Sequence, residues 1–144
     1  MDGTYTLLVD LASDATVTVG ALGQHRLNAG RYAYAGSAFG PGGLARVDRH
    51  RELARGEREV RHWHVDYLLG ASPAAVARVV TSEGVDVECA VARALDERFE
   101  RVEGVGASDC DCPSHLHYAP PGDAEALTTA VERAHEAARE ADEE

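Results

Sequence analysis

Alternating apolar and polar positions in the first part of the chain predict short strands. Strand-forming residues dominate residues 4–11 and 15–19, and the Ser-Asp step between them is typical of a hairpin turn. Residues 20–30 fit a loop or one further short strand. Residues 31–36 alternate so that their two tyrosines share one face of a strand.

The pattern then changes to a mixture of helices and strands. A glycine-rich turn over residues 39–43 is followed by a helical pattern over residues 44–55. Residues 76–81 have the pattern of a short buried strand, and residues 87–99 that of a helix. A last short strand is predicted over residues 116–118.

Residues after the Pro-Pro-Gly break at 120–122 predict one long amphipathic helix. Asp123 suits the N-cap, and apolar residues recur at helical spacing at Ala124, Leu127, Val131, Ala134, Ala138 and Ala141. This stripe is mostly alanine, and the opposite face has eight acidic residues against two arginines. We therefore expect one domain over residues 1–119 and a weakly docked acidic appendix over residues 120–144, which is a candidate surface for a protein partner.

Composition adds a strong acidic bias. The 144-residue chain has 25 acidic residues against 14 basic ones, a net charge of -11, and every basic residue is arginine. Acidic excess without lysine is typical of proteins that stay hydrated in molar salt, as in halophilic archaea. This charge opposes a broad electrostatic grip on nucleic acid, so any phosphate chemistry is expected to be local.

Other composition features indicate a cytoplasmic protein without a membrane partner. No stretch has the ~18 uninterrupted apolar residues of a membrane helix, and the first residues lack the features of a signal peptide. The three cysteines are an odd number, and two of them are separated by one residue, which disfavours a secreted disulfide framework. Metal ligation or free thiols fit this spacing better.

Three groups of residues could carry chemistry. Arg46 and His50 lie one helical turn apart and could meet a phosphate, although a solvated face with ion pairs explains the same spacing. Glu88 falls inside the apolar arc of its predicted helix, where a carboxylate needs a cation, a metal or a hydrogen-bond cluster. A third group, Cys89, Cys110, Cys112 and His115, could form a Cys3His zinc site. Asp109 and Asp111 could equally offer oxygen ligands to a hard cation, or the cysteines could be buried and inert.

Several motifs, taken in order, resemble the GIY-YIG nuclease superfamily. They are Gly3-Thr4-Tyr5 at the start of a strand, Tyr34-Ala35-Gly36 at the end of another, Arg46-x3-His50 on the next helix and Glu88 at the head of a later one. Longer stretches, including residues 32–38, 62–69 and 108–116, look like the archaeal Uri-type branch. The resemblance covers about residues 3–119.

The resemblance implies an α+β fold, with a small, mainly antiparallel sheet flanked by helices, and a phosphodiesterase that depends on Mg²⁺ or Mn²⁺. Its substrate would be DNA, in repair or in the processing of structured DNA. By position, Tyr5 is the general base or water-positioner, Tyr34 a second hydroxyl, Arg46 the phosphate clamp, His50 an acid or base, and Glu88 the metal ligand. Gly36, Ser37, Arg49 and His64 are the implied substrate contacts.

Two departures from the superfamily accompany this resemblance. The 28 residues between Tyr5 and Tyr34 exceed the usual gap, which predicts an inserted hairpin, and the superfamily's late asparagine has no counterpart. The competing hypothesis is a non-catalytic nucleic-acid-binding or interaction module with a zinc-stabilised C-terminal half. A third possibility is a salt-adapted domain whose site residues have drifted apart.

Overall fold

The described residues form an α+β domain. The computed structural model describes residues 3–18, 24–37, 47, 74–102 and 116–143. Their strands are β1 (Gly3–Leu11), β2 (Ala15–Thr18), β3 (Gln24–Leu27), β4 (Gly30–Ser37), β5 (Ala74–Glu83), β6 (Glu100–Arg101) and β7 (Leu116–Ala119). The helices with bounds in these ranges are α1 (Glu88–Asp96) and α2 (Ala124–Glu143), and a 3-10 turn (Pro121–Asp123) precedes α2. The predicted fold class is confirmed.

Five strands form one antiparallel sheet in the order β5-β1-β4-β7-β6, and β2 and β3 form a separate two-stranded hairpin. The predicted pairing of β1 with residues 15–19 is wrong, because β1 pairs with β4 on one side and with β5 on the other. Both of its edges are therefore occupied. The hairpin that the motif spacing predicts between β1 and β4 is confirmed as β2–β3.

Alternation gives the sheet two faces. The helix face carries Thr4, Thr6, Leu8, Ala33, Ala35, Ser82, His117 and Ala119, and α1 and α2 pack against it. The tyrosine face carries Tyr5, Leu7, Val9, Tyr32, Tyr34, Gly36, Leu116 and Tyr118. Tyr32 and Tyr34 share one face, as the alternation predicts.

Helix α1 is shorter than the predicted helix over residues 87–99. The backbone N–H groups of Arg98 and Phe99 both donate to the carbonyl of Leu95, at 3.1 and 2.9 Å, and close the last turn. The chain then enters β6 at Glu100. Val91 and Leu95 are buried and face the core between the sheet and α2.

Helix α2 is integral to the core, contrary to the weak docking expected of its alanine stripe. Leu127 and Val131 are completely buried in one cluster with Leu8 and Val91. The Arg31 guanidinium of β4 adds a polar clamp, since it binds both oxygens of Asp10, at 2.6 and 3.0 Å, and donates to the hydroxyl of Thr128 at 2.8 Å. A domain boundary near residue 119 stays a prediction.

A buried histidine supplies a second link between α2 and the sheet. His135 is 1% exposed, and its Nε2 lies 2.7 Å from the hydroxyl of Thr6 while its Nδ1 lies 2.8 Å from that of Ser82. A neutral imidazole has one donor and one acceptor nitrogen, so two hydroxyl groups satisfy both. Burial, with a smaller effect of Arg139, lowers the pKa of His135 to about 4.

The strand predicted over residues 76–81 is longer, and it is not buried. It corresponds to β5, an edge strand of the described sheet, in which Arg78 and Thr81 are exposed. The Arg78 guanidinium lies 3.4 Å from the carboxylate of Glu132 on α2. None of the helices in the described ranges has the length and apolar character of a membrane span.

Candidate functional site

Three of the residues predicted for the site meet on the tyrosine face. Antiparallel pairing sets Tyr5 opposite Gly36 and Leu7 opposite Tyr34. The rings of Tyr5 and Tyr34 are tilted by 49° with their centroids 6.4 Å apart. Both side chains are buried, with 2% and 7% of their surface exposed. The strand register therefore brings the two predicted catalytic phenols together and holds them in fixed orientations.

Gly36 is required by the position of the Tyr5 ring. A Cβ atom at this residue would lie 2.5 Å from Cζ and 2.6 Å from the hydroxyl oxygen of Tyr5. Contacts this short do not occur between ordinary side chains, so a larger residue would displace the phenol. The glycine that follows Tyr34-Ala35 thus lets the Tyr5 ring lie against the backbone of β4.

The predicted metal ligand, Glu88, is the first residue of α1 and is half-buried. The buried Thr4 hydroxyl fixes this helix start, because it donates to the carbonyl of Val85 at 2.8 Å and accepts from the N–H of Val87 at 2.9 Å. Thr4 precedes Tyr5 in β1 and points to the opposite face. One strand therefore carries a catalytic candidate and the residue that anchors the start of α1.

A carboxylate at this position also suits the helix itself. The N-terminal turn of a helix carries partial positive charge, and an acidic side chain there is stabilising by about 0.3 to 1 kcal/mol. Glu88 is the acidic residue of the first turn of α1, whose N-cap, Val87, makes no side-chain hydrogen bond. Its placement therefore fits a structural role as well as a ligand role.

The remaining predicted residues of the nuclease site lie outside the described ranges or are described only in their backbone. Arg46, Arg49, His50 and His64 fall outside those ranges. Ser37 ends β4, where its Cα pairs with that of Thr4. The convergence of Tyr5, Tyr34 and Gly36 is thus established, while the guanidinium and imidazole groups expected beside them stay predictions.

The predicted zinc site is represented in the described residues by Cys89, which is disulfide-bonded. A sulfur atom in a disulfide is not a thiolate and does not ligate zinc in that state. Cys110, Cys112 and His115 lie outside the described ranges. Within the described part of the chain, no group of three or more His, Cys, Asp or Glu side chains is arranged to hold a metal ion. A zinc site that includes Cys89 therefore requires the reduced chain.

A buried histidine lies beside α1, two residues beyond the His predicted as a zinc ligand. His117 is fully buried and its Nε2 is 3.4 Å from the carboxylate of Asp96, while its Nδ1 makes no hydrogen bond with the described residues. Arg101 shares the same carboxylate at 3.1 Å. Burial lowers the pKa of His117, and the bond to Asp96 opposes this shift.

A second cluster occupies the other end of the tyrosine face. The rings of Tyr32 and Tyr118 are 4.9 Å apart, and their hydroxyls donate to the carbonyls of Asn28 and Ala29, at 2.7 and 2.8 Å. A cavity of about 70 Å³ opens beside this pair, between β3, β6 and β7. Desolvation by burial raises the pKa of both phenols, so they stay uncharged at neutral pH.

Sequence reasoning missed Thr4 and the cavity. A threonine at an apolar position of a strand, directly before Tyr5, is the available signal for a buried hydroxyl. The cavity residues Arg26, Glu100 and Tyr118 are far apart in the chain. Pairing of β6 with β7 sets Glu100 opposite Tyr118, and the hydrogen bonds of Tyr32 and Tyr118 to residues 28 and 29 bring the hairpin beside them. No local pattern marks them as a group.

The chain belongs to the family described as Domain of unknown function DUF123, whose model matches residues 4–140. That match includes most of α2 as well as the sheet. No curated protein and no solved structure matches the chain significantly.

Proposed function

We propose that this DUF123 protein is a metal-dependent endonuclease that hydrolyses phosphodiester bonds in DNA. The observation that carries the proposal is the convergence of Tyr5, Tyr34 and Gly36 on one face of the sheet. These residues come from two strands and 28 residues separate the tyrosines in sequence, yet the fold sets their rings in a fixed pair. The same residues carry the resemblance to the GIY-YIG nucleases.

The chain's own groups have distinct tasks in this proposal. Tyr5 positions the attacking water or removes its proton, and Tyr34 donates a hydrogen bond to the phosphate. Arg46 binds the phosphate oxygens, and His50 transfers a proton to or from a reacting oxygen. Packing against Gly36 restricts the Tyr5 ring, and such restriction of a reactive group is a large part of catalysis by positioning.

The residues present fit a magnesium or manganese ion. Mg²⁺ binds protein through one or two carboxylates and keeps several waters, so a single glutamate with the substrate phosphate is a sufficient ligand set. Glu88 would supply that carboxylate, because it is half-buried at a helix start that Thr4 ties to β1. When bound, the ion would act as a Lewis acid at the phosphate.

A second candidate function is a non-catalytic nucleic-acid-binding or interaction module, stabilised by zinc in its C-terminal half. The buried Nδ1 of His117 favours it, because this atom has no partner in the described part of the chain while Asp96 holds the other ring nitrogen. Metal-bound histidines commonly have such a carboxylate on their second nitrogen. Zinc analysis of the reduced protein discriminates: a stoichiometric ion whose removal unfolds the chain would support this module.

The nuclease proposal is tested with branched, nicked and single-stranded DNA in Mg²⁺ or Mn²⁺, over a range of KCl concentrations. Proton transfer by a positioned side chain contributes about 10²- to 10⁴-fold to rate. We therefore expect Tyr5→Phe to lower the cleavage rate at least about 100-fold. Glu88→Gln removes the carboxylate that would hold the ion, whose Lewis-acid effect is worth several kcal/mol, so it should lower the rate at least as much. The variant Glu97→Gln, at the other end of α1, has the same charge change and should cleave at the wild-type rate.

Two results would count against the assignment. Cleavage that persists in the double variant Tyr5→Phe/Glu88→Gln would show that other residues, or a contaminating nuclease, do the chemistry. Equal losses in Glu88→Gln and Glu97→Gln would show that a general loss of negative charge, and not a specific ligand, accounts for the effect. Thermal unfolding of each variant separates lost activity from lost structure.

A further inference from the structure

A disulfide at the start of α1 has no part in the proposed catalysis. Cys89, the second residue of this helix, is disulfide-bonded. The chain has three cysteines, an odd number that does not suit a framework of permanent disulfides. In a reducing compartment, such as the cytoplasm predicted for this chain, disulfides are mostly transient, catalytic or redox-sensing. The Cys89 disulfide therefore suits reversible oxidation.

The disulfide lies beside the proposed metal ligand. Glu88 is the first residue of α1 and Cys89 is the second, so a cross-link at one of them also restrains the backbone of the other. Successive residues of a helix point about 100° apart, and the two side chains therefore leave the helix in different directions. The disulfide can hold the backbone of Glu88 without occupying the side of the helix to which its carboxylate points.

The cross-link acts on a part of the helix that opens easily. The N–H groups of a first turn lack partners within the helix, and helix ends open locally more often than helix centres do. In α1 the carbonyl of Val87 accepts the N–H of Val91 at 3.0 Å, which closes this turn. The Thr4 hydroxyl binds the backbone just before it, at Val85 and Val87. A disulfide at Cys89 restrains the turn itself.

We propose that the Cys89 disulfide is a redox switch for the metal site: the oxidised bond holds the first turn of α1, and its reduction releases that turn and weakens Mg²⁺ binding at Glu88. The inference rests on the proposed function and names a regulation of its site. Cys89 is half-buried, so a reductant can reach it. Thr4 keeps its contacts in both states, and reduction therefore loosens the site without unfolding the domain.

The chemistry of the switch is thiol–disulfide exchange. One thiol of a dithiol reductant attacks a sulfur of the bond and forms a mixed disulfide, and the other sulfur leaves as a thiol. The second thiol of the reductant then attacks the mixed disulfide and releases the remaining sulfur. Two electrons and two protons pass to the chain, so that Cys89 and its partner become thiols and the reductant becomes a disulfide. Oxidation by a small-molecule disulfide reverses both steps.

Amide hydrogen exchange tests the switch without any nuclease activity. NMR compares oxidised wild type with wild type in excess dithiothreitol, at the N–H groups of Val91 and Phe99, which close the first and the last turn of α1. Loss of a cross-link raises the population of locally open states, so we expect the N–H of Val91 to exchange about 10-fold faster after reduction. The exchange rate at Phe99 should not change.

Two variants separate the disulfide from the cysteine itself. Cys89→Ser cannot form the bond, whereas the double variant Cys110→Ser/Cys112→Ser keeps Cys89 but removes every other cysteine of the chain. In oxidising buffer, both should exchange at Val91 as reduced wild type does. Both, like reduced wild type, should also need at least about 5-fold more Mg²⁺ for half-maximal cleavage than oxidised wild type. The comparison of oxidised with reduced wild type needs no substitution and stands if a variant fails to fold.

Each outcome has a defined meaning. Unchanged exchange at Val91 after reduction would overturn the switch, even if the protein cleaves DNA. Faster exchange with unchanged Mg²⁺ dependence would also overturn it, because the disulfide would then serve the fold alone. If neither state cleaves DNA, the proposed catalysis fails, and Mn²⁺ binding measured by electron paramagnetic resonance replaces cleavage. Weaker Mn²⁺ binding by the reduced chain would support the switch, and equal binding would overturn it. Uptake of zinc by the reduced chain would overturn it too, since the thiols would then be ligands.

Discussion

The two faces of the central sheet share the same strands but use their polar side chains in different ways. On the helix face, His135 joins Thr6 to Ser82, and the hydroxyl of Thr4 bridges two backbone groups. The buried Nδ1 atom of His117 is the exception among the described residues, since it makes no hydrogen bond with them. On the tyrosine face, the hydroxyls of Tyr32 and Tyr118 hold the backbone of the inserted hairpin. Both faces are buried, so exposure does not distinguish them.

The difference lies in what each arrangement achieves. On the helix face, the contacts of His135 and Thr4 join distant elements, which stabilises the fold. On the tyrosine face, the rings of Tyr5 and Tyr34 lie together, and this arrangement requires glycine at position 36 because a larger residue would collide with the Tyr5 ring. The contacts of the helix face therefore serve stability, and the tyrosine face carries two of the residues of the proposed site, to which α1 would add Glu88.

The largest expected effect is a pH dependence that belongs to the helix face. Above pH 6.5, His135 is neutral in both folded and unfolded chains, and its full contribution to stability is present. As the pH falls from 6.5 towards the folded pKa of about 4, the unfolded chain binds a proton that the folded chain does not. This linkage lowers the free energy of unfolding by up to about 3 kcal/mol. Urea unfolding at pH 7 and pH 4 measures it.

The control for this prediction is His135→Gln, which keeps a donor and an acceptor but does not titrate. The many carboxylates of the chain titrate alike in both proteins, so the difference between them isolates the histidine. Between pH 7 and pH 4, the free energy of unfolding should fall by about 3 kcal/mol more in wild type than in the variant. Equal losses would mean that the buried imidazole does not govern stability, and the contrast between the faces would weaken.

The second prediction concerns the fit of Tyr5 against Gly36. Gly36→Ala would put a Cβ 2.5 Å from the phenol, and because Tyr5 is 2% exposed the ring has little room to move. Overpacking of this kind costs about 1 to 3 kcal/mol. Gly122→Ala is the matched control, since no atom lies within 4 Å of its added methyl. If both variants unfold at the same urea concentration, the tight contact is not real.

Much of the fold could be predicted from local pattern. Strands β1 and β4, the face shared by Tyr32 and Tyr34 and the long C-terminal helix all follow from alternation or helical periodicity. The partners of β1 could not be predicted, because pairing with β4 and β5 depends on residues far along the chain. The burial of α2 in the core could not be predicted either, because Arg31, Thr6 and Ser82 contact this helix from distant parts of the chain.

The candidate site was predictable in part for a related reason. Short motifs identified Tyr5, Tyr34 and Gly36, and the register confirms that they meet. The second pair of phenols, Tyr32 and Tyr118, carries no motif, because only the pairing of β4 with β7 brings the two rings together. For Cys89 the sequence was less informative. The spacing of the cysteines favours metal ligation, but it does not specify the oxidation state of the Cys89 sulfur, which is disulfide-bonded.

The smallest expected effect on stability comes from Thr4, and it tests whether the two faces are independent. Thr4→Val keeps the shape but leaves the Val85 carbonyl and the Val87 N–H without their partner, which costs about 1 to 2 kcal/mol. Because this hydroxyl fixes the start of α1, the variant should also require more Mg²⁺ for half-maximal cleavage, and Thr4→Ser should restore both properties. A loss of stability with unchanged Mg²⁺ dependence would confine Thr4 to the helix face. A shift in Mg²⁺ dependence that Thr4→Ser reverses would instead show that β1 links the two faces. In that case Thr4 positions Glu88 from the helix face, while its neighbour Tyr5 lies on the tyrosine face.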